Sequence, residues 1–288
     1  MTISGDNVNE TARTPASLGP EYEGLLAVIR RHGPMAVAYS GGVDSAFLAV
    51  AAREALGEDM VCVLAVSPSL AGAEYRDAIA FLERHGIPYE SVHTREMDDE
   101  RYRANDPRRC YYCKDELFAA IRRSASGSRF PKIAYGANAD DARDYRPGHK
   151  AAAESSVVAP LAEAGYDKRL IRETAKALGL EVWDKPAAPC LASRIPYFSR
   201  VTAEKLRQVE AAEMVLKKAG FRTCRVRHYG DTARIEVPVD QHARLIDPPV
   251  WRVVQQGMRA AGFNRVEVEW DGFRSGRLND ALGRRGES

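Results

Sequence analysis

The chain has 288 residues, 42 basic and 40 acidic, for a formal charge of +2, and 45% of its residues are hydrophobic. That balance gives no whole-chain argument for nucleic-acid or membrane binding; no apolar run reaches the length of a membrane span, and the polar N-terminus lacks the apolar core of a secretory signal. A cytoplasmic protein with a substantial core in two domains is expected, and its five cysteines do not make a disulfide framework.

Residues 1–20, rich in Ser, Thr, Asn and Gly, read as a tail without a fold of its own. A helix over Glu21–Arg31 ends at His32-Gly33-Pro34 and leads into the apolar strand Met35-Ala-Val-Ala-Tyr39. The turn Ser40-Gly41-Gly42 follows, and then Val43, Phe47, Val50 and Ala51 recur at helical spacing. Strand, glycine turn and helix N-terminus together make an anion cradle. The glycines let backbone approach a phosphate, Ser40 and Ser45 add hydroxyls, and the helix end directs unpaired amides at the charge. Ser40, Gly41, Gly42, Asp44 and Ser45 are therefore the candidate phosphate-binding residues. No Walker lysine follows the glycines, so Asp44 is assigned to a magnesium ion between phosphates. A plain strand-to-helix turn is the alternative, and it requires neither the hydroxyls nor the acid.

Strands at Met60–Val66, Tyr89–Val92 and Lys132–Tyr135 alternate with helices at Ala71–His85, stopped by Gly86, and Lys114–Arg123. The alternation predicts an α/β fold with a mostly parallel, doubly wound sheet over residues 21–185, whose ligands bind beyond the carboxyl ends of the strands. The Ser40 turn and the loop Asn138–Asp141 would both lie there. Asp167–Leu178 reads as a helix capped by Asp167 and stopped by Gly179. A proline-rich connecting loop, residues 186–200, follows. Residues 201–288 change pattern: helices at Ala203–Ala219 and Pro249–Ala261, a hairpin of Cys224–Tyr229 with Ala233–Val237 about Gly230-Asp231, and a last strand at Arg265–Trp270. This is a smaller α+β domain with several antiparallel strands.

Cys110-Tyr-Tyr-Cys113 stands just before the Lys114 helix. Paired thiols at that spacing suit zinc, an iron-sulfur cluster or a redox disulfide, but supply half of a four-ligand site. Cys190 is the candidate third ligand, with Ser193 and Arg194 close behind it. Cluster, zinc and no metal all remain open on the residues alone. Cys62 and Cys224 fall in strand patterns and read as small buried hydrophobes. The acidic and basic loop Asp140–Gly148 is either a solvated ion-pair surface or part of the site, with Asp141 on magnesium and Arg143 and Arg146 on a phosphate or carboxylate. Arg225 and Arg227 share one face of a strand, which suits an anionic small molecule or an exposed polar sheet face.

Ser40-Gly-Gly-Val-Asp-Ser45 resembles the signature of the ATP pyrophosphatases, the PP-loop enzymes that split ATP between the α and β phosphates. Asp140–Gly148, Trp183-Asp-Lys-Pro186, Cys190-Leu-Ala-Ser-Arg-Ile-Pro-Tyr197, Arg225-Val-Arg227 and Gly272-Phe-Arg-Ser-Gly-Arg277 resemble, more narrowly, the LarE family. These are the sulfur transferases of nickel-pincer cofactor synthesis, and the likeness runs from about Glu21 to Leu282. It implies ATP and magnesium, adenylation of a carboxylate of a pyridinium biscarboxylic acid mononucleotide, and displacement of AMP by sulfur. Cys190, Ser193, Arg194 and Asp44 become catalytic candidates, and Arg143, Arg146, Arg225, Arg227, Arg274 and Arg277 substrate ligands. One branch of the family sacrifices the cysteine matching Cys190; another holds a four-iron four-sulfur cluster on cysteines matching Cys110, Cys113 and Cys190. Having all three, the chain is expected in the second branch, with an external sulfur donor and a homo-oligomeric state. Phe198 is a departure, since the family usually has glycine after Ile-Pro-Tyr. The rival readings are a tRNA thiolase or amidating synthetase of the same superfamily, and a nucleotide-binding iron-sulfur sensor without turnover.

Overall fold

The computed structural model describes residues 18–141 and 147–274. The chain opens with α1 (Pro20–His32), β1 (Met35–Tyr39), α2 (Val43–Leu56), β2 (Met60–Val66), α3 (Gly72–Arg84) and β3 (Tyr89–His93). It continues through α4 (Glu100–Arg103), α5 (Arg109–Arg123), α6 (Ala125–Arg129), β4 (Lys132–Tyr135), α7 (Pro147–Glu154), α8 (Pro160–Glu163) and α9 (Lys168–Ala177). All five residues of β1 are buried, as expected of a central parallel strand covered on both faces. The sheet order is β3-β2-β1-β4, and every pair is parallel. Phe47, Tyr22, Tyr166 and Ile171 pack on one face, and Phe118, Ile121 and Ile133 with Ala36 and Val63 on the other. The predicted α/β class and parallel sheet are thus present. The crossover leaves β1 with β2 on one side and β4 on the other, so a crevice opens at its carboxyl end.

A second layer follows the loop after α9: α10 (Ala203–Lys218), β5 (Arg225–Tyr229), β6 (Thr232–Glu236), α11 (His242–Leu245), α12 (Pro248–Ala260) and β7 (Arg265–Val268). Its sheet order is β5-β6-β7. The hairpin pairs Arg225 with Glu236 and Arg227 with Arg234, and Gly230 makes its turn at φ 67°. β7 pairs parallel to β6, not antiparallel, because α12 carries the chain back across the sheet before β7 begins. Ala212 and Leu216 of α10 and Val254 and Met258 of α12 close the core over Val226 and Ile235.

Between the two sheets a third apolar group gathers Tyr102 and Tyr112 from the α4–α5 corner, Leu191, Ala192 and Ile195 from the loop, and Leu206 and Val209 from α10. Leu191, Ala192 and Ile195 thus anchor the second half of the proline-rich loop, whose residues 186–190 are exposed, and residues 191–194 form a turn of 3-10 helix. One expectation is corrected here. α5 begins at Arg109, not Lys114, so Cys110 and Cys113 lie inside the helix, three apart and on one face. Burial of the Tyr112 ring outweighs the weak helix preference of Cys and Tyr.

Candidate active site

The Ser40 turn is shaped by its neighbours. Gly41 stands at φ 73°, and a side chain there would meet Ala78 Cβ at 2.9 Å. The Ser45 hydroxyl donates to Gly42 O (3.0 Å) and lies 3.1 Å from Ser40 Oγ, which fixes the turn against the first turn of α2. Gly136, just after β4, presses on the same backbone; a Cβ there would lie 2.9 Å from the Ser45 nitrogen. Substituting alanine at Gly136 is expected to push that turn aside and raise the KM for ATP about tenfold or more; an unchanged KM would show that the turn yields freely. The crevice predicted at the strand ends is a cleft of about 270 Å³, lined by Ser40, Gly42, Asp44, Ser45, Ala65, Ser67, Lys114 and Gly136 among others.

Two lysines complete the turn from far along the chain. Lys168 Nζ donates to both oxygens of Asp44 at 2.7 Å, and Asp140 in turn accepts from the Lys168 amide (2.9 Å). Lys185, within the Trp183–Pro186 motif, donates to Gly41 O (3.1 Å) and pairs with Glu74 (2.8 Å). Arg172 holds that motif through Trp183 O (2.6 Å) and Lys185 O (2.9 Å). Asp44, assigned to magnesium, thus faces a lysine, and Asp141 accepts from the Asn138 amide (3.0 Å).

Cys110 and Cys190 are exposed and Cys113 is partly buried. Burial pushes the Cys113 thiol up to about 12, and the neighbouring Cys190, Glu96 and Cys110 push in the same direction. As placed, no group of three or more His, Cys, Asp or Glu among the described residues makes a metal site. The chemistry of the donors nonetheless fits a thiolate-bound group. Arg109 is 5% exposed, and although burial opposes its charge, Cys190 and Cys110 and the Tyr102 and Tyr197 phenols hold its pKa above the usual value.

Arg194 is buried with Glu213, at 2.8 Å and 3.1 Å. Its remaining nitrogen donates to Pro189 O (2.6 Å), Cys190 O (3.3 Å) and Ser193 Oγ (2.9 Å). The described donors of Arg194 are thus committed to Glu213 and to the cysteine loop. Arg227 is likewise committed to Glu236 (2.9 Å and 3.1 Å) and to Ser193 O (2.7 Å). Arg225 and Arg227 are 5% and 3% exposed, which rules out an open polar sheet face. Arg225 lies over the Phe273 ring at 4.5 Å. Burial, and then repulsion from Arg194 and Arg227, lowers its pKa to about 10, the environment of a cation that awaits an anion. Arg274 follows Phe273 and is exposed; Arg143, Arg146 and Arg277 lie outside the described residues.

Phe198 stands at φ 65° and is 51% exposed, a backbone region that suits the glycine usual there and costs a bulky residue roughly 1 kcal/mol or more. Phe198→Gly is expected to leave the urea midpoint unchanged or raise it by up to about 1 kcal/mol of stability. A clear loss would show that the ring contributes packing that offsets the strain.

Parallel sheet, glycine turn and helix N-terminus at the switch point form an anion-binding crevice of the PP-loop kind. A family model for NAD synthase matches residues 30–125, which span β1 to β3 and all of α5. The chain is 42% identical over 246 residues to an uncharacterized protein of Synechocystis, covering 85% of this chain and 92% of that one. It is 34% identical over 269 residues to the pyridinium-3,5-bisthiocarboxylic acid mononucleotide synthase of Lactiplantibacillus plantarum, covering 93% and 96%. An uncharacterized protein of Methanocaldococcus jannaschii is 26% identical over 239 residues. The chain belongs to the pyridinium-3,5-bisthiocarboxylic acid mononucleotide synthase family, LarE. Among the described residues no helix is long and apolar enough to cross a membrane.

Proposed function

We propose that this enzyme adenylates a carboxylate of pyridinium-3,5-biscarboxylic acid mononucleotide with ATP and replaces the activated oxygen by sulfur, giving a thiocarboxylate. The observation that carries this reading is the convergence on α5: Lys114 lines the cleft of the Ser40 turn, and Cys110 and Cys113 sit within one turn of it, in the electrostatic field of Cys190. Nucleotide and sulfur chemistry then share one helix.

The amides at the start of α2, with the Ser40 and Ser45 hydroxyls, receive the β and γ phosphates. Asp44 takes the magnesium ion, and Lys168, its present partner, turns to phosphate oxygens. The substrate carboxylate attacks the α phosphorus and pyrophosphate leaves, so charge builds where fixed amides and lysines already stand. Arg225 binds the substrate phosphate or its second carboxylate. Sulfur then attacks the acyl carbon, and AMP departs with the carboxylate oxygen. Cys110, Cys113 and Cys190 would hold the four-iron four-sulfur cluster, which when bound would supply the sulfide. A second reading rests on the exposure of Cys190. Its own sulfur attacks the acyl carbon, AMP leaves, and loss of the Cα proton with cleavage of Cβ–S releases the thiocarboxylate and leaves dehydroalanine.

Pyrophosphate release tests the first half-reaction. It is expected to depend on the biscarboxylated mononucleotide and to fall about a hundredfold or more in Asp44→Asn, which cannot bind the cation as a carboxylate does. Pyrophosphate release driven instead by tRNA or ammonia, or ATP binding without any release, would favour one of the rival readings. Intact mass after one turnover separates the two sulfur routes: loss of one hydrogen sulfide marks Cys190 as the donor.

A further inference from the structure

The corner between α4 and α5 is built around a residue that has no part in either helix. Asn105 is fully buried and stands at φ 58°, a conformation Asn tolerates better than most residues at a position fixed by its surroundings. Its side-chain amide donates to Pro196 O (2.8 Å), Ser199 O (2.9 Å) and Ile195 O (3.3 Å), and the Asn105 backbone carbonyl accepts from the Phe198 amide (3.0 Å). Each of these contacts spans about ninety positions of sequence, and all of them end on the segment just after Cys190. The Asn105 side-chain oxygen accepts from Arg109 Nη1 (2.5 Å), and the same nitrogen donates to Ala192 O (2.9 Å). Next to these contacts, Leu191 N donates to Ser69 O (2.9 Å), and Ser69 Oγ lies 2.6 Å from the Tyr102 hydroxyl. Residues 191–199 are therefore tied to the helix that bears Cys110 and Cys113, and Arg109 directly precedes Cys110.

Arg109 differs from Arg194 and Arg227. Arg194 has Glu213 and Arg227 has Glu236, whereas the described contacts of the Arg109 guanidinium are neutral oxygens. A buried cation without a carboxylate is costly unless another anion faces it, and this one directly precedes Cys110 and holds the carbonyl of Ala192, two residues after Cys190.

We propose that Asn105 and Arg109 form a clasp that sets Cys190 against Cys110 and Cys113, with Arg109 as the resident counter-charge for an anionic thiolate-bound group. The proposal deepens the sulfur half of the function above and rests on it. Both are positioning residues; neither touches the nucleotide cleft.

The test uses reduced, metal-free protein and cadmium as the probe, read by thiolate-to-metal charge-transfer absorption, with a bifunctional thiol reagent and peptide mapping to detect a Cys113–Cys190 bridge. The native protein is expected to bind cadmium through all three thiols and to form the bridge. Arg109→Gln and Asn105→Ser, each checked by thermal unfolding, are expected to hold cadmium at least tenfold more weakly and to bridge poorly. Arg109→Lys, which keeps the charge and a donor, is expected to recover most of the affinity. Native affinity and native bridging in both Arg109→Gln and Asn105→Ser would overturn the clasp. Native protein that binds no cadmium through these cysteines, with Cys110→Ser and Cys190→Ser indistinguishable from it, would overturn the three-thiol site and the clasp together.

Discussion

Alanine in place of Glu213 is expected to destabilise the protein by about 3–5 kcal/mol, the cost of leaving a buried charge without its partner. Glu213 is 6% exposed and binds the Arg194 guanidinium through both oxygens, and one of them also accepts from the Val226 amide (3.2 Å). Removing it leaves Arg194 buried without its carboxylate and near Arg225, whose pKa is lowered by burial and then by Arg194 and Arg227. The effect should reach beyond stability. Arg194 holds the carbonyls of Pro189 and Cys190, so the loop that presents the thiol would lose its anchor to α10. Urea unfolding measures the first consequence, and the rate of Cys190 alkylation in the folded variant measures the second. A stability loss under about 1 kcal/mol with native alkylation would mean that the loop is held by its apolar packing alone.

Cys190→Ser carries the other large expected effect. Thiocarboxylate formation should fall by about a thousandfold or more, as when a reaction loses its nucleophile or the ligand that presents it. Substrate-dependent pyrophosphate release should stay within about threefold of native, because the Ser40 turn and Lys168 are assembled on β1, α2 and α9 and not on the cysteine loop. Single-turnover assays of the two products separate the steps. Parallel loss of both would place Cys190 in adenylation and contradict the division of labour between the two halves of the site.

The first sheet was legible because a central parallel strand must be apolar on both faces, and Met35–Tyr39 is. The glycine turn was legible because Gly41 requires positive φ and the sequence offers two glycines before a helix. The start of α5 was not: Cys110 and Tyr111 favour helix only once Tyr112 is buried by residues about eighty positions away, Leu191 and Ala192 among them. The parallel direction of β7 is likewise a product of how α12 packs. In the site, the cysteines were found by chemical type, but Lys168 and Lys185 were missed. Both reach the turn across more than a hundred positions, and a lysine on a helix or beside a proline carries no local mark of that. Lys185 did lie in a recognisable motif, which was the available signal. The arginines were found, but not their burial: the register that sets Arg225 opposite Glu236 and brings Glu236 to Arg227 follows from the hairpin turn, and from it comes the contrast between Arg227, paired with Glu236, and Arg225, which lies over the Phe273 ring.

The central claim is that ATP cleavage between the α and β phosphates drives the exchange of oxygen for sulfur on a pyridinium biscarboxylate. Reduced protein, with the cluster reconstituted under anaerobic conditions, can be incubated with ATP, magnesium, a sulfide source and the biscarboxylated mononucleotide, and the small-molecule products weighed. The account predicts AMP and pyrophosphate in equal amounts, and a mononucleotide in which sulfur replaces one carboxylate oxygen for each AMP formed. ADP and phosphate as products, or AMP formed while the mononucleotide keeps its mass, would contradict it.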